Sequence, residues 1–344
     1  MKALFVGLGS IGQRHLRNLI KLRPDIELLA VRSSRSAPVL SNTNQIINDV
    51  SIQSQYGVLE FDFLEEALNH NPDIVFVTNP TSMHIDVAKQ AINSGAFVFM
   101  EKPISHNYDR VEELIRIEKS FGKNKILVGY QFRFNPALKL VKKTLKDGVI
   151  GNIVGAQMVN GEFLPEWHPY EDYRLSYASR KDLGGGAIVT QIHDFDYATW
   201  LFGPPENIFS VGGQLSDLEV DVEDSVHVLM QCNGIPIAIQ LDYLQWPPRR
   251  VISITADKGS IQCNLITMEV VINNRINDSV EKYDFPDFDR NNLFLDEMKN
   301  FLAFFEGNEE PFASLRDGAI SLRIALAAKS SMISGKSEKL SWDL

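Results

Sequence analysis

The stretch that most limits what this chain can fold into is Gly7-Leu8-Gly9-Ser10-Ile11-Gly12. It follows a short apolar run, residues 3–6, and opens a helix-like segment, residues 11–22. A G-x-G-x-x-G turn says little alone, but between a strand and a helix it matches the dinucleotide-binding fingerprint. Gly7 allows the tight turn, Gly9 lets a pyrophosphate approach the backbone, and Gly12 allows helix and strand to pack closely. The helix start, with Ser10 and Ile11, then offers N–H groups and a positive dipole end to the phosphates. The alternative is a glycine turn that holds no ligand.

The texture of the chain extends that reading. Up to about residue 125, apolar runs at 3–6, 27–31, 58–61, 73–78, 96–100 and 126–130 alternate with helix-like segments at 64–69, 82–94 and 108–120. Runs without polar alternation suit strands covered on both faces. Their order predicts an α/β domain with a doubly wound parallel sheet. After residue 150 strands follow one another, at 151–163, 208–214, 225–232, 235–245, 251–256, 260–265 and 268–272. Turn signals such as Asn233-Gly234 and Lys258-Gly259 join several of them. A second, α+β domain with a mixed or antiparallel sheet is expected, interrupted by a helix at 186–201 and closed by helices at 291–305 and 315–331. The expected division is 1–125 and 126–344, with the last helices free to pack back on the first domain. Residues 33–55 read as a loop holding a short helix.

The chain has 344 residues, 44% hydrophobic and 23% charged, an ordinary globular composition. A net charge of −10 argues against nucleic acid or an anionic membrane as main partner, since both need a basic face. Cys232 and Cys263 each lie in a strand-like run, which reads as buried thiols and not as a disulfide or zinc set. The opening MKALFVGLGS has too short an apolar part for a signal peptide. No run approaches the roughly 18 apolar residues of a membrane helix. The expectation is a cytoplasmic protein without a metal centre, acting on a small molecule.

About 20 residues past the glycines, an NAD-specific site carries Asp or Glu for the ribose 2′-hydroxyl. Here Arg32 stands at that place, followed by Ser33, Ser34 and Arg35. A guanidinium with neighbouring hydroxyls binds a 2′-phosphate that an acid repels. NADP is therefore favoured over NAD; in the alternative, Arg32 only stacks on the adenine and either cofactor is taken. Asn79-Pro80-Thr81-Ser82-Met83-His84 follows the fourth apolar run. Ligands of open α/β sheets bind beyond the carboxyl ends of strands. Asn79, Pro80 and His84 are thus expected beside the nicotinamide half of the cofactor, unless His84 is a helix-surface residue.

Glu101-Lys102-Pro103 closes the fifth run at the same sheet edge. A lysine there, partly desolvated and near an oxidised nicotinamide, is expected to have a depressed pKa. It can then hold, donate or accept a substrate hydroxyl proton. The other reading is a solvated lysine that closes a strand. Residues 165–174 are dense in rings and charges: Trp167, Tyr170 and Tyr173 can stack on a ligand, and His168 and Arg174 can bond its hydroxyls or a carboxylate. The alternative is a surface loop fixed by its own salt bridges. Gln131 and Arg133, just before the helix start Asn135-Pro136, can face the same cleft; Trp246-Pro247-Pro248-Arg249-Arg250 has a weaker claim on it.

With these residues in view, the chain resembles the Gfo/Idh/MocA oxidoreductases, relatives of glucose–fructose oxidoreductase and inositol dehydrogenase. GLGSIG, NPTSMH, SGAFVFMEKP, GGGAIVTQIHDFDYATWLFG at 184–203 and RRVISITADKGSI at 249–261 carry the likeness, which spans residues 1 to about 265. The resemblance implies a Rossmann domain, then a domain with a large open mixed sheet, with substrate between them. It implies hydride transfer at a C–OH or C=O carbon of a sugar-like molecule, with Lys102 and His193 as the catalytic pair at the substrate hydroxyl. It also implies a homodimer or homotetramer formed through the second sheet.

One departure matters. Many family members carry Asp or Asn four residues before the histidine, where this chain has Val189, and the glycine run lies one residue closer to His193. Either Lys102 and His193 suffice, or Asp194 or Asp196 supplies the carboxylate. Residues i and i+3 share a helix face, so His193 and Asp196 can meet. The missing acid leaves two rivals open: a cofactor-binding sensor without turnover, and an enzyme that takes hydride and returns it during isomerisation or elimination.

Overall fold

The computed structural model of the chain describes residues 1–32, 38–41, 45–168 and 171–342. The chain forms two units, Met1–Tyr130 with Phe294–Ala319, and Gln131–Leu293 with Ile320–Leu344.

The first unit is built on β1 (Lys2–Val6), α1 (Ser10–Leu22), β2 (Glu27–Val31), β3 (Leu59–Phe61), β4 (Ile74–Val77), α2 (His84–Asn93), β5 (Phe97–Met100), α3 (Val111–Ser120) and β6 (Ile126–Val128). The strands form one sheet in the order β3-β2-β1-β4-β5-β6, parallel at every pairing. This is the doubly wound arrangement expected of unbroken apolar runs. β4 and β5 read IVFV and FVFM, and every residue in both is buried. Phe5 stacks on Phe76 with centroids 4.4 Å apart. Phe301, from the helix Asn291–Phe305, meets Phe76 and Phe99 edge-on at 5.5 and 5.4 Å. Burial of this aromatic layer is the main term holding the sheet to its cover. Within 33–55 the described residues pair Val39–Leu40 with Ile46–Ile47 and form a short helix, Ile52–Tyr56.

The second unit comprises α4 (Pro136–Lys146), β7 (Ile153–Gly161), α5 (Ala187–Thr190), α6 (His193–Phe202), β8 (Pro205–Gly213), β9 (Ser225–Cys232), β10 (Ile235–Asp242), β11 (Arg249–Ala256), β12 (Gly259–Asn264), β13 (Glu269–Asn274) and β14 (Ser279–Asp284). The closing helices are α7 (Asn291–Phe305), which from Phe294 on belongs to the first unit, and α8 (Leu315–Ser334), which from Ile320 on belongs to the second, as does the short β15 (Glu338–Lys339). Nine strands run β14-β13-β12-β11-β7-β10-β9-β8-β15. Only β7 and β10 pair in parallel, so the sheet is mixed. Along β9 the side chains alternate: Val226, Val228, Met230 and Cys232 are buried, while His227, Leu229 and Gln231 point outward. Alternation of this kind marks a sheet with one covered and one open face. Helices lie against the buried face: Ser210 Oγ donates to the Ala328 carbonyl of α8, and Asn160 of β7 donates to Asp194 of α6 (2.7 Å).

Two features depart from the sequence reading. The helix expected at 186–201 is two helices, broken at Gln191, whose φ of −96° and ψ of 26° leave helical geometry. β14 was not expected at all, because five of its six residues are exposed and no apolar alternation marks it. Among the described residues no helix is long and apolar enough to cross a membrane.

Candidate active site

In the first unit, β1 runs into the glycine turn, β4 into Asn79, and β5 into Glu101-Lys102. β4 lies between β1 and β5, so these three parallel ends stand side by side.

The space around the glycines fits a dinucleotide. Gly7 has φ of +94°, and a Cβ on it would lie 2.8 Å from the Asn79 backbone. A Cβ on Gly12 would lie 2.5 Å from the Gly7 carbonyl oxygen. Neither position admits a side chain, so turn, helix and β4 are in close contact. Gly9 differs: nothing stands within 4 Å of its would-be Cβ, which leaves open space over the backbone for a pyrophosphate. Gly9 caps α1 without a side-chain bond to the helix N–H groups, the arrangement that suits phosphate oxygens. Thr78 Oγ1 donates to the Gly7 carbonyl (2.6 Å) and ties β4 to the turn. The amide of Asn79 is buried at both ends, Oδ1 and Nδ2, with no partner. A buried amide left unmade is costly, and a nicotinamide carboxamide or ribose would satisfy it. Pro80, next to it, is exposed.

His84 is a buried strut. Its Nε2 lies 2.8 Å from the Asn79 carbonyl and its Nδ1 2.9 Å from the Pro103 carbonyl. Burial pushes its pKa below the ordinary value, against the two carbonyls, which favour the charged ring. The ring ties the β4 end to the β5 end, which bears Lys102. Glu101 is more deeply engaged. His15 Nε2 donates to its Oε1 (2.7 Å), and Lys102 donates its backbone N–H to its Oε2 (3.1 Å). Burial alone would raise the carboxyl pKa; the His15 bond and the His15 and Lys102 charges outweigh it and hold Glu101 below the usual range. His15 sits three residues after Gly12 on the buried face of α1, so α1 and the peptide bearing Lys102 are joined through the Glu101 carboxylate.

Arg32 Nη1 donates to Glu60 Oε1 at 2.6 Å, with the two side chains only 5% and 11% exposed. Arg32 Nη2 is buried without a partner. Ser33 and Arg35 lie outside the described residues.

In the second unit, the glycine run sets the position of His193. Gly186 has φ of +112°, and a Cβ there would lie 2.2 Å from the Glu223 carboxylate. Glu223 accepts the N–H of Ile188 (3.2 Å) and pairs with Lys329 (3.3 Å), which also donates to the Gly185 carbonyl (3.0 Å). The break at Gln191 then lets α6 begin at His193. The imidazole is buried, with the Gln131 amide nitrogen 3.3 Å from its Nε2 and the Phe132 ring edge-on at 5.0 Å.

The two carboxylates that follow have separate partners. Asp196 is clamped by Arg133, whose Nε lies 3.1 Å from both oxygens and whose Nη2 lies 2.7 Å from Oδ1. Asp194 is fully buried; it accepts from Asn160 Nδ2 (2.7 Å) and the Tyr197 hydroxyl, with Arg250 Nη2 at 3.4 Å. Burial pushes its pKa up to about 6, against the opposing pull of Arg250 and Asn160. Gln131, Arg133, His193, Asp194, Asp196 and Arg250 thus form one cluster.

The ring-rich segment is placed differently. Trp167 stands edge-on to Tyr243 at 5.3 Å, and its N–H reaches the Glu162 carbonyl (3.3 Å). His168 is half-buried. Tyr173 accepts the Glu219 N–H at its hydroxyl (3.3 Å), and Arg174 pairs with Asp172 (2.6 Å) and Glu219 (3.4 Å). These bonds raise the Arg174 pKa above its ordinary value. Tyr170 lies outside the described residues.

Residues 1–130 match the model described as "Oxidoreductase family, NAD-binding Rossmann fold", and residues 138–262 match the GFO/IDH/MocA C-terminal domain. The chain is 27% identical to a myo-inositol 2-dehydrogenase of Thermotoga maritima, over 99% of this chain and 98% of that protein. It is 26% identical to an inositol 2-dehydrogenase of Rhizobium meliloti, over 94% of each. Its fold is similar to the WlbA dehydrogenase of Bordetella pertussis, solved with NADH and UDP-GlcNAcA, with a TM-score of 0.80 and 21% identity over 100% of this chain and 99% of that one.

Proposed function

The chain belongs to the Gfo/Idh/MocA oxidoreductases, a family with an NAD-binding Rossmann domain, and from that premise we propose that it is a dehydrogenase of polyhydroxylated substrates. The reaction moves a hydride between a nicotinamide cofactor and a hydroxyl or keto carbon of a sugar, cyclitol or nucleotide-linked sugar. The observation that carries the reading is the single edge of the parallel sheet that holds the glycine turn, the unmade Asn79 amide and Lys102 together. The names of the inositol dehydrogenases and the UDP-GlcNAcA complex support the substrate class.

When bound, the cofactor supplies or accepts the hydride. The protein's part is to orient the substrate and move one proton. Lys102 donates a hydrogen bond to the substrate oxygen as ammonium, and takes its proton as amine. His193, held by Gln131 and Phe132, is the second acid–base group of the proposed reaction. Trp167 and His168 offer the substrate a ring face and a hydrogen-bonding group, Tyr173 and Arg174 hold the same loop through Glu219 and Asp172, and Arg133 and Asp194 shape the site through α6.

We read the cofactor preference as NADP, with NAD accepted. Arg32 Nη2 has no partner and can take a 2′-phosphate oxygen, while Glu60 on Nη1 moderates the preference. A panel of sugars, cyclitols and nucleotide sugars with NAD and with NADP, read by the absorbance of reduced nicotinamide, tests both points. Turnover is expected with at least one polyol. Arg32→Asp is expected to shift the kcat/KM ratio toward NAD by about 100-fold. No turnover with any member would sink the dehydrogenase, and an unchanged ratio in Arg32→Asp would sink the 2′-phosphate role.

The open sheet face supports self-association. Phe209, Leu229 and Ala238 pair across β8, β9 and β10, with Leu229 56% and neighbouring Val211 54% exposed. An apolar strip of this kind marks an interface. A homodimer or homotetramer through it is expected, and Leu229→Asp should yield monomers in sedimentation velocity. A wild-type protein that already sediments as a monomer would remove this part of the reading.

A further inference from the structure

We propose, resting on the dehydrogenase reading above, that Arg250 is a specificity residue whose guanidinium receives a carboxylate or phosphate carried by the substrate of the His193 site. Arg250 stands opposite Asn160 in the ladder between β11 and β7, and both side chains reach Asp194. Its guanidinium lies over the Phe132 ring at 4.3 Å, and the same ring meets His193 at 5.0 Å. The cation and the imidazole therefore flank one aromatic side chain.

Arg250 is incompletely used by the protein. Its contact with Asp194 is long, 3.4 Å from Nη2 to Oδ2, and that carboxylate is already held by Asn160 and Tyr197. Its Nε is buried with no hydrogen-bond partner. A charged donor left unmade in a buried place is costly. Nε–H and one Nη–H form the edge of the guanidinium that takes an oxyanion in two parallel bonds. A second cation stands near: partial desolvation and the charge of Arg250 hold Arg290 below its ordinary pKa, with the Glu162 charge opposing. Asp194 at 3.4 Å and the Glu162 charge offset these cations only in part, and the unmade Nε–H calls for an acceptor, so the class indicated is an acidic or phosphorylated sugar.

The test is isothermal titration of the NADH-saturated protein with glucose, glucuronate and glucose 6-phosphate, which share a ring and differ in charge. One of the two anions is expected to bind at least about tenfold more tightly than glucose, and which one does so separates carboxylate from phosphate. Arg250→Gln is expected to level the three affinities, and Arg250→Lys, which keeps the charge without the fork, to retain part of the preference. Thermal unfolding and NADH affinity of each variant check that the fold is kept. Equal affinities in the wild type, no measurable anion binding, or a preference that survives Arg250→Gln overturns the assignment. None of these outcomes touches the dehydrogenase reading, which fails instead if the wild type binds neither NADH nor NADPH.

Discussion

Alanine at Lys102 is expected to lower kcat by about a thousandfold, the range lost when a positioned proton donor is removed, while NADH affinity stays nearly unchanged. The second half of that expectation comes from how the β5 end is built. Glu101 bonds the backbone N–H of residue 102, which alanine keeps, so the Glu101–His15 pair and its tie to α1 survive the change. The glycine turn is untouched as well. Steady-state turnover beside a fluorescence titration with NADH reads the two effects separately. Near-normal turnover would remove Lys102 from the chemistry, and parallel loss of NADH binding would make it a cofactor ligand.

Methionine at Arg133 is expected to destabilise the protein by about 3–5 kcal/mol, because it removes the guanidinium from a carboxylate taken out of water. Asp196 is fully buried, and three close nitrogen–oxygen contacts join it to Arg133. Burial in place of exposure decides the size: an ion pair in solvent contributes only about 0–1 kcal/mol. Urea unfolding measures the loss, and Asp196→Leu added to Arg133→Met is expected to recover much of it by removing the stranded charge. A cost under about 1 kcal/mol for Arg133→Met would show that the pair is not shielded from water. Arg133 lies two residues from Gln131, which holds His193, so activity and stability are expected to fall together.

How far the chain could be read from its letters depended on whether a signal was local. The parallel strands were legible because both faces are buried and the runs are unbroken, as in IVFV and FVFM. The glycine turn was legible because its three positions and the helix after it are contiguous. β14 was not, since an exposed edge strand needs no apolar pattern. The break at Gln191 was not, because A-I-V-T-Q-I-H has continuous helical character and the distant Glu223 and Asp242 decide where it ends.

The partners of the site residues were hidden for the same reason. Glu60 meets Arg32 from another strand, and His15 meets Glu101 from the first helix. A histidine on the apolar face of α1, three residues after Gly12, was the one local hint of that pair. Asn160, Tyr197 and Arg250 converge on Asp194 from β7, α6 and β11, and no spacing in the sequence encodes that meeting.

The one parallel pairing in the nine-stranded sheet bears on how the protein is made. β7 lies at its centre, where Ala156 stands opposite Ile237 on one side and Ile254 on the other. During synthesis the middle strand leaves the ribosome long before either neighbour exists, its edges open to wrong pairings. Such distant contacts fold slowly, so the second unit is the stage at which a nascent chain would need a chaperone, and a chain cut short before β11 would hold β8, β9, β10 and β7 with one edge of β7 unpaired.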